Sequence, residues 1–263
     1  PSSLDLTLGD RAYRIRASFL PGAGHTVEDR LAGDLVMHEF PLGDGAVLER
    51  GCVYLVPLRE QLALPADVSA MANPKSSTGR IDVFVRLVTD RGTSFEQVPA
   101  GYHGPLYAEI SPRTFSIVVR TGSMLNQLRL KRGDTWLDDA ELAALHAGTP
   151  LADATATIAN GLNLTVQLAG APGEIIGYRA RRHAGLIDVD CPGALEPADY
   201  WEPIRAGGAA SLIIDPDEFY ILASKEYVSV PLDYAAEMRA YDTRVGEFRV
   251  HYAGFFDPGF GIP

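Results

Sequence analysis

The sequence predicts an all-β protein that contains two copies of one domain, and three observations support this. Short alternating or β-branched runs are separated by turns of Gly, Pro, Asp and Asn, as in proteins built from short strands. One segment has the pattern of a helix, and the second half of the chain repeats motifs of the first. The 263 residues, 46% of them hydrophobic, are enough to bury one large core or two ordinary ones. The clearest strand-like runs are Tyr54–Leu58, Ile81–Val88, Ser116–Val119, Leu162–Leu168 and Phe248–Tyr252.

The repeat consists of three pairs of similar segments that occur in the same order. Each pair is expected to form the same strand in its own copy of the domain. We therefore predict a first copy over residues 1–135, a linker helix within 136–152 and a second copy over 153–263. The sequence begins without Met and stops before the last strands of the second copy, so we expect that its ends have been trimmed. The pairs are Ser3–Leu8 with Gly161–Val166, Tyr13–Arg16 with Tyr178–Arg181, and Tyr54–Pro65 with Tyr220–Pro231.

The predicted helix runs from Asp138 to His146, between the two copies. Asp138 is a favourable N-cap residue, and Glu141 follows three residues later, which is the spacing of a capping box. Gly148 and the Pro150 that follows it end the helical pattern. We expect a packed linker helix with one buried apolar stripe. The stripe consists of Leu137, Leu142 and Leu145.

Composition argues against several classes of function. A net charge of −11 and a pI near 5.0, without any Lys/Arg-rich run, argue against binding to nucleic acids or to membrane surfaces. Cys52 and Cys191 form neither a disulfide framework nor a Cys-x-x-Cys site, so a reducing cytoplasm is expected. No stretch of about 18 apolar residues indicates a membrane span or a signal peptide. The histidines show no metal-ligand spacing.

The segment from Lys75 to Arg80 has the chemistry of an anion site. Ser76, Ser77 and the backbone N–H groups beside Gly79 form a small-residue turn that suits phosphate oxygens, and the two end residues add positive charge. The alternative is an ordinary surface turn, because Ser, Thr and Gly are common in turns.

Glu109 is the second candidate for a chemical role, since it is a carboxylate in the apolar strand-like run from Leu106 to Ile110. A carboxylate there needs a partner, and Arg80 is the nearest candidate in the sequence. A buried Glu–Arg pair beside an anion site is suited to general acid–base catalysis. The alternative is a solvated strand residue without a special role.

Taken in order, these motifs resemble the dCTP deaminase branch of the dUTPase-like family. That branch has a Ser-Ser-x-x-Arg motif, a Gly-aromatic-x-Gly turn and then a strand ending in Glu, which here correspond to residues 76–80, residues 101–104 and Glu109. Residues 1–9 are similar to the family's first strand and residues 122–128 to its closing strand. The resemblance implies two tandem β-clasp, or distorted jelly-roll, barrels of the dUTPase type. It also implies an oligomer, either a trimer or a smaller pseudo-symmetric assembly.

The second copy resembles the same family over Phe219–Gly261 but departs from it at the anion site. Ala240-Tyr241 stands where the family has the Ser pair, whereas Asp257 occupies a hairpin position that is Pro99 in the first copy. Family sites form between neighbouring units, with the Ser-Ser motif from one and a hairpin from the other. The first copy's motif is therefore expected to meet the hairpin of either Glu109 or Asp257, and this choice stays open.

The mechanism that the resemblance implies is hydrolytic deamination of dCTP to dUTP and ammonia. Glu109 would move protons between water, the ring and the leaving amine, with Arg80 holding its carboxylate and Ser76 placing the water. Mg²⁺ would accompany the triphosphate, and dTTP is a possible inhibitor. Zinc is not expected, because the lone Cys191-Pro192 supplies neither motif of the zinc deaminases. The expected substrate-binding residues are Lys75, Ser77, Gly79, Tyr102, Asp257 and Arg244.

Two other functions stay open at this point. A dUTPase-like pyrophosphatase, alone or combined with deamination, would use a water activated by an aspartate, and Asp257 keeps it possible. A non-catalytic nucleotide-binding module would account for the degenerate second copy. Pyrophosphate release would indicate the first function, and nucleotide binding without turnover would indicate the second.

Overall fold

The structure is a computed structural model that describes residues 2–153, 157–207, 211–239 and 254–262. The chain divides into two compact units that are each discontinuous in sequence. Unit 1 comprises Pro1–Asp134, Gly185–Leu195 and Glu237–Phe255, and unit 2 comprises Thr135–Ala184, Glu196–Ala236 and Phe256–Pro263. The predicted boundaries at residues 135 and 153 stay predictions, and the structure adds that unit 1 includes two segments from the second half of the chain.

Strands make up most of the regular structure, as the sequence predicts. The strands of the first half are β1 (Leu4–Thr7), β2 (Arg11–Ile15), β3 (Val36–Pro41), β4 (Ala46–Leu48), β5 (Val53–Ala63), β6 (Val68–Pro74), β7 (Val83–Thr89), β8 (Gln97–Val98), β9 (His103–Pro112), β10 (Ile117–Val119) and β11 (Met124–Arg132). Those of the second half are β12 (Thr157–Ile158), β13 (Leu162–Asn163), β14 (Ile175–Ala180), β15 (Ile187–Asp188), β16 (Trp201–Arg205), β17 (Tyr220–Leu222), β18 (Ala236–Glu237) and β19 (Phe255–Phe256). The helices are α1 (Val27–Leu31), α2 (Ser76–Gly79), α3 (Asp139–Gly148) and α4 (Pro197–Tyr200).

Unit 1 is built on three sheets. An antiparallel five-stranded sheet has the order β3-β2-β5-β9-β7, a four-stranded sheet has the order β1-β11-β6-β8, and a three-stranded sheet has the order β15-β10-β4. Strand β9 lies between β5 and β7, so both of its edges are hydrogen-bonded and its side chains from Leu106 to Pro112 are buried. Large side chains that are fully buried in this unit include Leu6, Leu8, Ile15, Leu55, Leu106, Ile110, Phe115, Ile117 and Leu125.

Three of the strand-like runs overlap β5, β7 and β10, and a fourth is shorter than predicted. In Leu162–Leu168 only Leu162–Asn163 forms a strand. Beyond it the pairing is reduced to a single bridge between Val166 and Ser224, and the N–H of Thr165 donates to the carboxylate of Glu226. The fifth run, Phe248–Tyr252, lies outside the described residues.

Helix α3 has the predicted start, but the predicted buried stripe is wrong. Asp138 is the N-cap, and both hydrogen bonds of the capping box with Glu141 are present. Leu142 and Leu145 are only half-buried and Leu137 is exposed. The helix is therefore held by its capping box and by hydrogen bonds that Asp139 and His146 accept from neighbouring backbone N–H groups. It contributes little to the core of unit 2.

The internal repeat is visible as the same strand pairing in the two units. In unit 1, β2 pairs with β3 and β5, and Tyr13 lies opposite Leu55. In unit 2, β14 pairs with β16 and β17, and Tyr178 lies opposite Ile221. The paired segments that are similar in sequence thus form the same three-stranded arrangement.

A hydrogen-bonded contact between a threonine and a glutamate repeats as well. Glu60 accepts hydrogen bonds from the N–H of Thr7 at 2.9 Å and from its hydroxyl at 2.6 Å. Glu226 accepts the same two bonds from Thr165, at 2.9 and 2.6 Å, and the bonds from Thr165 lower the pKa of Glu226. Thr7 and Thr165, which occupy the same position in the first repeated segment of each copy, are thereby each fixed by a glutamate from the same later position.

The segment Gly185–Leu195 joins unit 1 through a short parallel strand and an ion pair. Strand β15 runs parallel to β10, with Ile187 opposite Ile117. Both terminal nitrogens of Arg120 donate to the carboxylate of Asp188 at 2.6 Å, which is a bidentate contact. Hydrogen bonding to Arg120 lowers the pKa of Asp188 to about 2.

This ion pair predicts a pH-dependent contribution to stability. Because the folded-state pKa of Asp188 lies below its ordinary value of 3.8, the contribution is present above about pH 4 and is lost as the pH falls towards 2. We expect Asp188→Asn to lower the free energy of unfolding at pH 7, and the difference from wild type to shrink between pH 4 and pH 2. Urea unfolding at several pH values measures this, with the exposed Asp10→Asn as control; a difference that does not change with pH would contradict the assignment.

Among the helices in the part of the chain that the structure describes, none is long and apolar enough to cross a membrane.

Candidate active site

Glu109 lies in the middle of the five-stranded sheet of unit 1. Its side chain is 2% exposed, because β9 is flanked by β5 and β7 and its face is covered. Tyr107, two residues earlier on the same face, packs in a buried cluster with Val27 of α1 and Leu55 of β5. A carboxylate in these surroundings needs a cationic partner, since burying an unpaired charge is very unfavourable.

Arg86 of β7 is that partner. It lies directly opposite Glu109 in the strand register, and its Nε donates to Glu109 Oε1 at 3.1 Å, with Nη2 donating to the same oxygen. Nη2 also donates to the hydroxyl of Ser18 at 2.6 Å. The guanidinium lies 3.6 Å from the centre of the Phe95 ring and 4.8 Å from that of Phe84. These contacts hold the guanidinium in one orientation.

The arrangement leaves the second oxygen of Glu109 available for chemistry. Oε2 is buried and accepts no hydrogen bond from any of the described residues. A carboxylate with one oxygen fixed by Arg86 and the other free is suited to taking a proton from a bound water or substrate.

The prediction that Arg80 pairs with Glu109 is wrong within this chain. Arg80 is exposed, and its guanidinium donates to the carbonyl of Ser76 at 3.3 Å and to the hydroxyl of Ser76 at 3.2 Å. Proximity in sequence favoured Arg80, whereas the cross-strand register places Arg86 opposite the carboxylate. The sequence reasoning missed Arg86; the signal that could have identified it is its place as the single charged residue in the apolar run Val83–Thr89.

The anion-site segment forms one helical turn, α2, instead of an open loop. The N–H groups of Thr78 and Gly79 donate to the carbonyl of Lys75 at 2.9 Å, and that of Arg80 donates to the carbonyl of Ser76 at 3.0 Å. The prediction that N–H groups beside Gly79 cradle a phosphate is therefore wrong, because the turn already uses them. Gly79 itself is buried.

The hydroxyl groups of the turn do face outward. Ser76 and Ser77 are exposed at the N-terminal side of α2, beside the guanidinium of Arg80. Lys75, the residue before the turn, forms an ion pair with Asp5 of β1. Two exposed hydroxyls and two cations thus lie within one six-residue segment, and their role in binding an anion stays a prediction.

Tyr102 has a structural role in the hairpin that leads into β9. It is buried, and its hydroxyl donates to the carbonyl of Pro105 at 2.6 Å and accepts from the N–H of Asp90 at 3.2 Å. A Cβ atom at Gly104 would lie 2.9 Å from this hydroxyl, so the glycine is needed there. These contacts use the hydroxyl of Tyr102 within the hairpin, and the prediction that Tyr102 binds the substrate stays a prediction.

Of the two predicted site residues in the second copy, the structure describes only Asp257. Asp257 of unit 2 is exposed, and its carbonyl accepts from the N–H of Phe260 at 3.1 Å in the hairpin turn. Its role in binding stays a prediction. Arg244 lies outside the described residues.

Comparison with known proteins gives consistent results over the whole chain. Family models for the N-terminal and C-terminal domains of 2'-deoxycytidine 5'-triphosphate deaminase match residues 1–134 and 138–263. A crystal structure of 2'-deoxycytidine 5'-triphosphate deaminase from Agrobacterium tumefaciens is 56% identical with a TM-score of 0.95, covering 100% of this chain and 76% of that chain.

A curated dCTP deaminase from Halorubrum lacusprofundi is 26% identical over 129 residues, which is 49% of this chain. The match spans 61% of that relative's length. The predicted family and the predicted all-β fold of the dUTPase type are confirmed by these comparisons. The chain belongs to the 2'-deoxycytidine 5'-triphosphate deaminase family.

Proposed function

We propose that the protein catalyses the hydrolytic deamination of dCTP to dUTP and ammonia, as a hydrolase of pyrimidine deoxynucleotide metabolism that needs no zinc. The observation that carries the proposal is the buried Glu109, with one oxygen held by Arg86 and the other free. Membership of the deaminase family supports the choice of substrate.

The reaction needs a group that accepts a proton and later returns it. Glu109 takes a proton from water as the water oxygen attacks C4 of the cytosine ring, and a tetrahedral intermediate forms. The proton passes to the ring nitrogen, and the second proton of the added oxygen passes through Glu109 to the amino group. Ammonia then leaves, the C4 carbonyl of uracil forms and Glu109 is a carboxylate again.

The exposed turn supplies the binding groups. The hydroxyl of Ser76 and the guanidinium of Arg80 place the water and stabilise the oxygen at C4, and Lys75 and Ser77 bind the triphosphate. Arg80 does not contact Glu109 within the chain. We therefore infer that the turn α2 of one subunit meets Glu109 of another subunit of the same oligomer. The site is then complete only in an oligomer, for which we propose a homotrimer or a pseudo-symmetric assembly in the cytoplasm, with dTTP as an inhibitor.

Magnesium is proposed to arrive with the nucleotide. The groups of the turn are hydroxyls and cations, which suit phosphate oxygens, and the carboxylate of Asp5 is paired with Lys75. When bound, Mg²⁺ would neutralise part of the triphosphate charge. No protein residue is assigned to it.

Product analysis tests this function against its alternatives. The protein is incubated with dCTP and Mg²⁺, and dCTP, dUTP, dUMP, ammonia and pyrophosphate are separated. Equal amounts of dUTP and ammonia support the deaminase. Formation of dUMP and pyrophosphate indicates a pyrophosphatase activity, for which the exposed Asp257 is the candidate; binding of dCTP without any product indicates a nucleotide-binding module.

The binding role of Lys75 gives a separate prediction. A charged hydrogen bond to phosphate contributes about 1.5–3 kcal/mol, so we expect Lys75→Gln to weaken dCTP binding by about 10- to 100-fold. Isothermal titration with dCTP measures the dissociation constant. Deoxycytidine, which has no phosphate, is the control ligand and should bind both forms alike. Equal dCTP affinity in wild type and Lys75→Gln would remove Lys75 from the site.

A further inference from the structure

Glu96 is a second glutamate whose carboxyl group is buried near Glu109, and no sequence pattern singles it out. It precedes β8 with a φ of 67°, in the left-handed region that residues other than glycine rarely adopt. Its N–H donates to the carbonyl of Leu87 at 3.1 Å, and its carbonyl accepts from the N–H of Ala72 at 2.8 Å. These bonds to β7 and β6 keep the residue in its strained conformation.

The side chain of Glu96 is fixed at one oxygen and unpartnered at the other. Oε1 accepts from the N–H of Leu87 at 3.2 Å. Oε2 is buried and has no hydrogen-bond partner among the described residues, which is also true of Oε2 of Glu109. A surface contact or a simple loop brace does not require a buried, unsatisfied carboxyl oxygen.

Both carboxyl groups share the surroundings of one cation. Leu87, which holds Glu96, is the neighbour of Arg86, and Phe95, which precedes Glu96, has its ring 3.6 Å from the Arg86 guanidinium. The charged groups that act on Glu96 are Arg86 from β7 and Glu109 from β9. One positive charge can neutralise only one of the two carboxylates, and the hydrogen bonds of Arg86 go to Glu109.

The second carboxyl group therefore avoids its charge by keeping its proton. Burial raises the pKa of Glu96 well above its ordinary value. The Leu87 N–H and then Arg86 lower it by less than burial raises it, and the charge of Glu109 adds a smaller rise. A carboxyl that keeps its proton leaves the guanidinium to Glu109 alone.

We propose that Glu96 is a positioning residue for Glu109: its neutral carboxyl group closes the site beside Arg86 and keeps the guanidinium bound to Glu109. The kinetic consequence rests on the proposed deaminase function. When Glu96 loses its proton at high pH, a second negative charge competes for Arg86, the orientation of Glu109 is disturbed, and the rate of deamination falls.

The pH profile of kcat distinguishes this role from a structural one. Glutamine has the shape of the protonated acid and cannot ionise, so Glu96→Gln is expected to keep a rate within about threefold of wild type at pH 7 and to lose the alkaline fall. Glu60→Gln is the matched control, because Glu60 also accepts a backbone N–H in unit 1 but is held by Thr7. Its profile should keep the alkaline fall. An unchanged alkaline fall in Glu96→Gln would overturn the proposal, as would a folded Glu96→Gln protein that is inactive at every pH.

A measurement without turnover separates this proposal from the proposed function. In protein with ¹³C-labelled glutamate carboxyls, the resonance that disappears in Glu96→Gln should titrate well above the usual glutamate range, and Glu109→Gln should lower its midpoint. This result would support the role of Glu96 even if the protein did not deaminate dCTP. A Glu96 resonance that titrates in the usual range, or that does not respond to Glu109→Gln, would refute it.

Discussion

Replacing Glu109 with glutamine is expected to lower the rate of dCTP deamination by about 10³-fold, within the 10²–10⁴-fold range of general acid–base catalysis. The amide keeps the size of the side chain and a hydrogen-bond acceptor for Arg86, but it cannot take a proton from water. Ammonia release at saturating dCTP measures the loss in kcat. Glu109 is 2% exposed and acts in the proton transfers of the reaction. We therefore expect Glu109→Gln to change the affinity for dCTP much less than kcat.

The control for this variant is Glu39→Gln, at a carboxylate that pairs with Arg11 on the exposed edge of the same sheet. That change should leave the rate and the melting temperature close to wild type. If folded Glu109→Gln released ammonia at the wild-type rate, Glu109 would not be the base and the proposed mechanism would fail.

Replacing Arg86 with methionine is expected to affect both stability and activity. Removing one member of a buried ion pair typically costs about 3–5 kcal/mol, because the remaining charge stays buried without a partner. The side chain of Glu109 is 2% exposed and that of Arg86 is 23% exposed. We therefore expect Arg86→Met to lose most of this amount in its free energy of unfolding. Urea unfolding at pH 7 measures the stability, and the deamination assay should show a large loss in kcat because Glu109 is no longer oriented.

Arg11→Met is the matched control for this experiment. The Arg11–Glu39 pair has a similar N–O distance of 3.0 Å, but its side chains are 50% and 47% exposed, so the loss should be below about 1 kcal/mol. The double variant Arg86→Met, Glu109→Leu should recover much of the lost stability, because no buried charge remains. A loss for Arg86→Met no larger than that for Arg11→Met would show that the buried pair is not needed for folding.

Features that depend on neighbouring residues were predictable from the sequence. The capping box of α3 involves residues three positions apart, and the exposed serines of α2 lie within one turn. The order of the motifs around Glu109 was enough to indicate the family, and the similar segments of the two halves indicated the repeated strands. Local hydrogen bonding and the order of short motifs are present in the sequence itself.

The partners of the buried carboxylates were decided only by the tertiary structure. Arg86 and Glu109 are 23 residues apart, and their contact depends on the register of β7 against β9, which the intervening loop and turn determine. Glu96 reaches the same surroundings through a left-handed backbone that no residue pattern predicts. The docking of Asp188 on Arg120 likewise joins segments 68 residues apart. The sequence by itself determined the family, the repeated strands and the position of Glu109. The tertiary structure decided which cation neutralises Glu109 and which second carboxyl shares that cation, because register and burial depend on segments far apart in the chain.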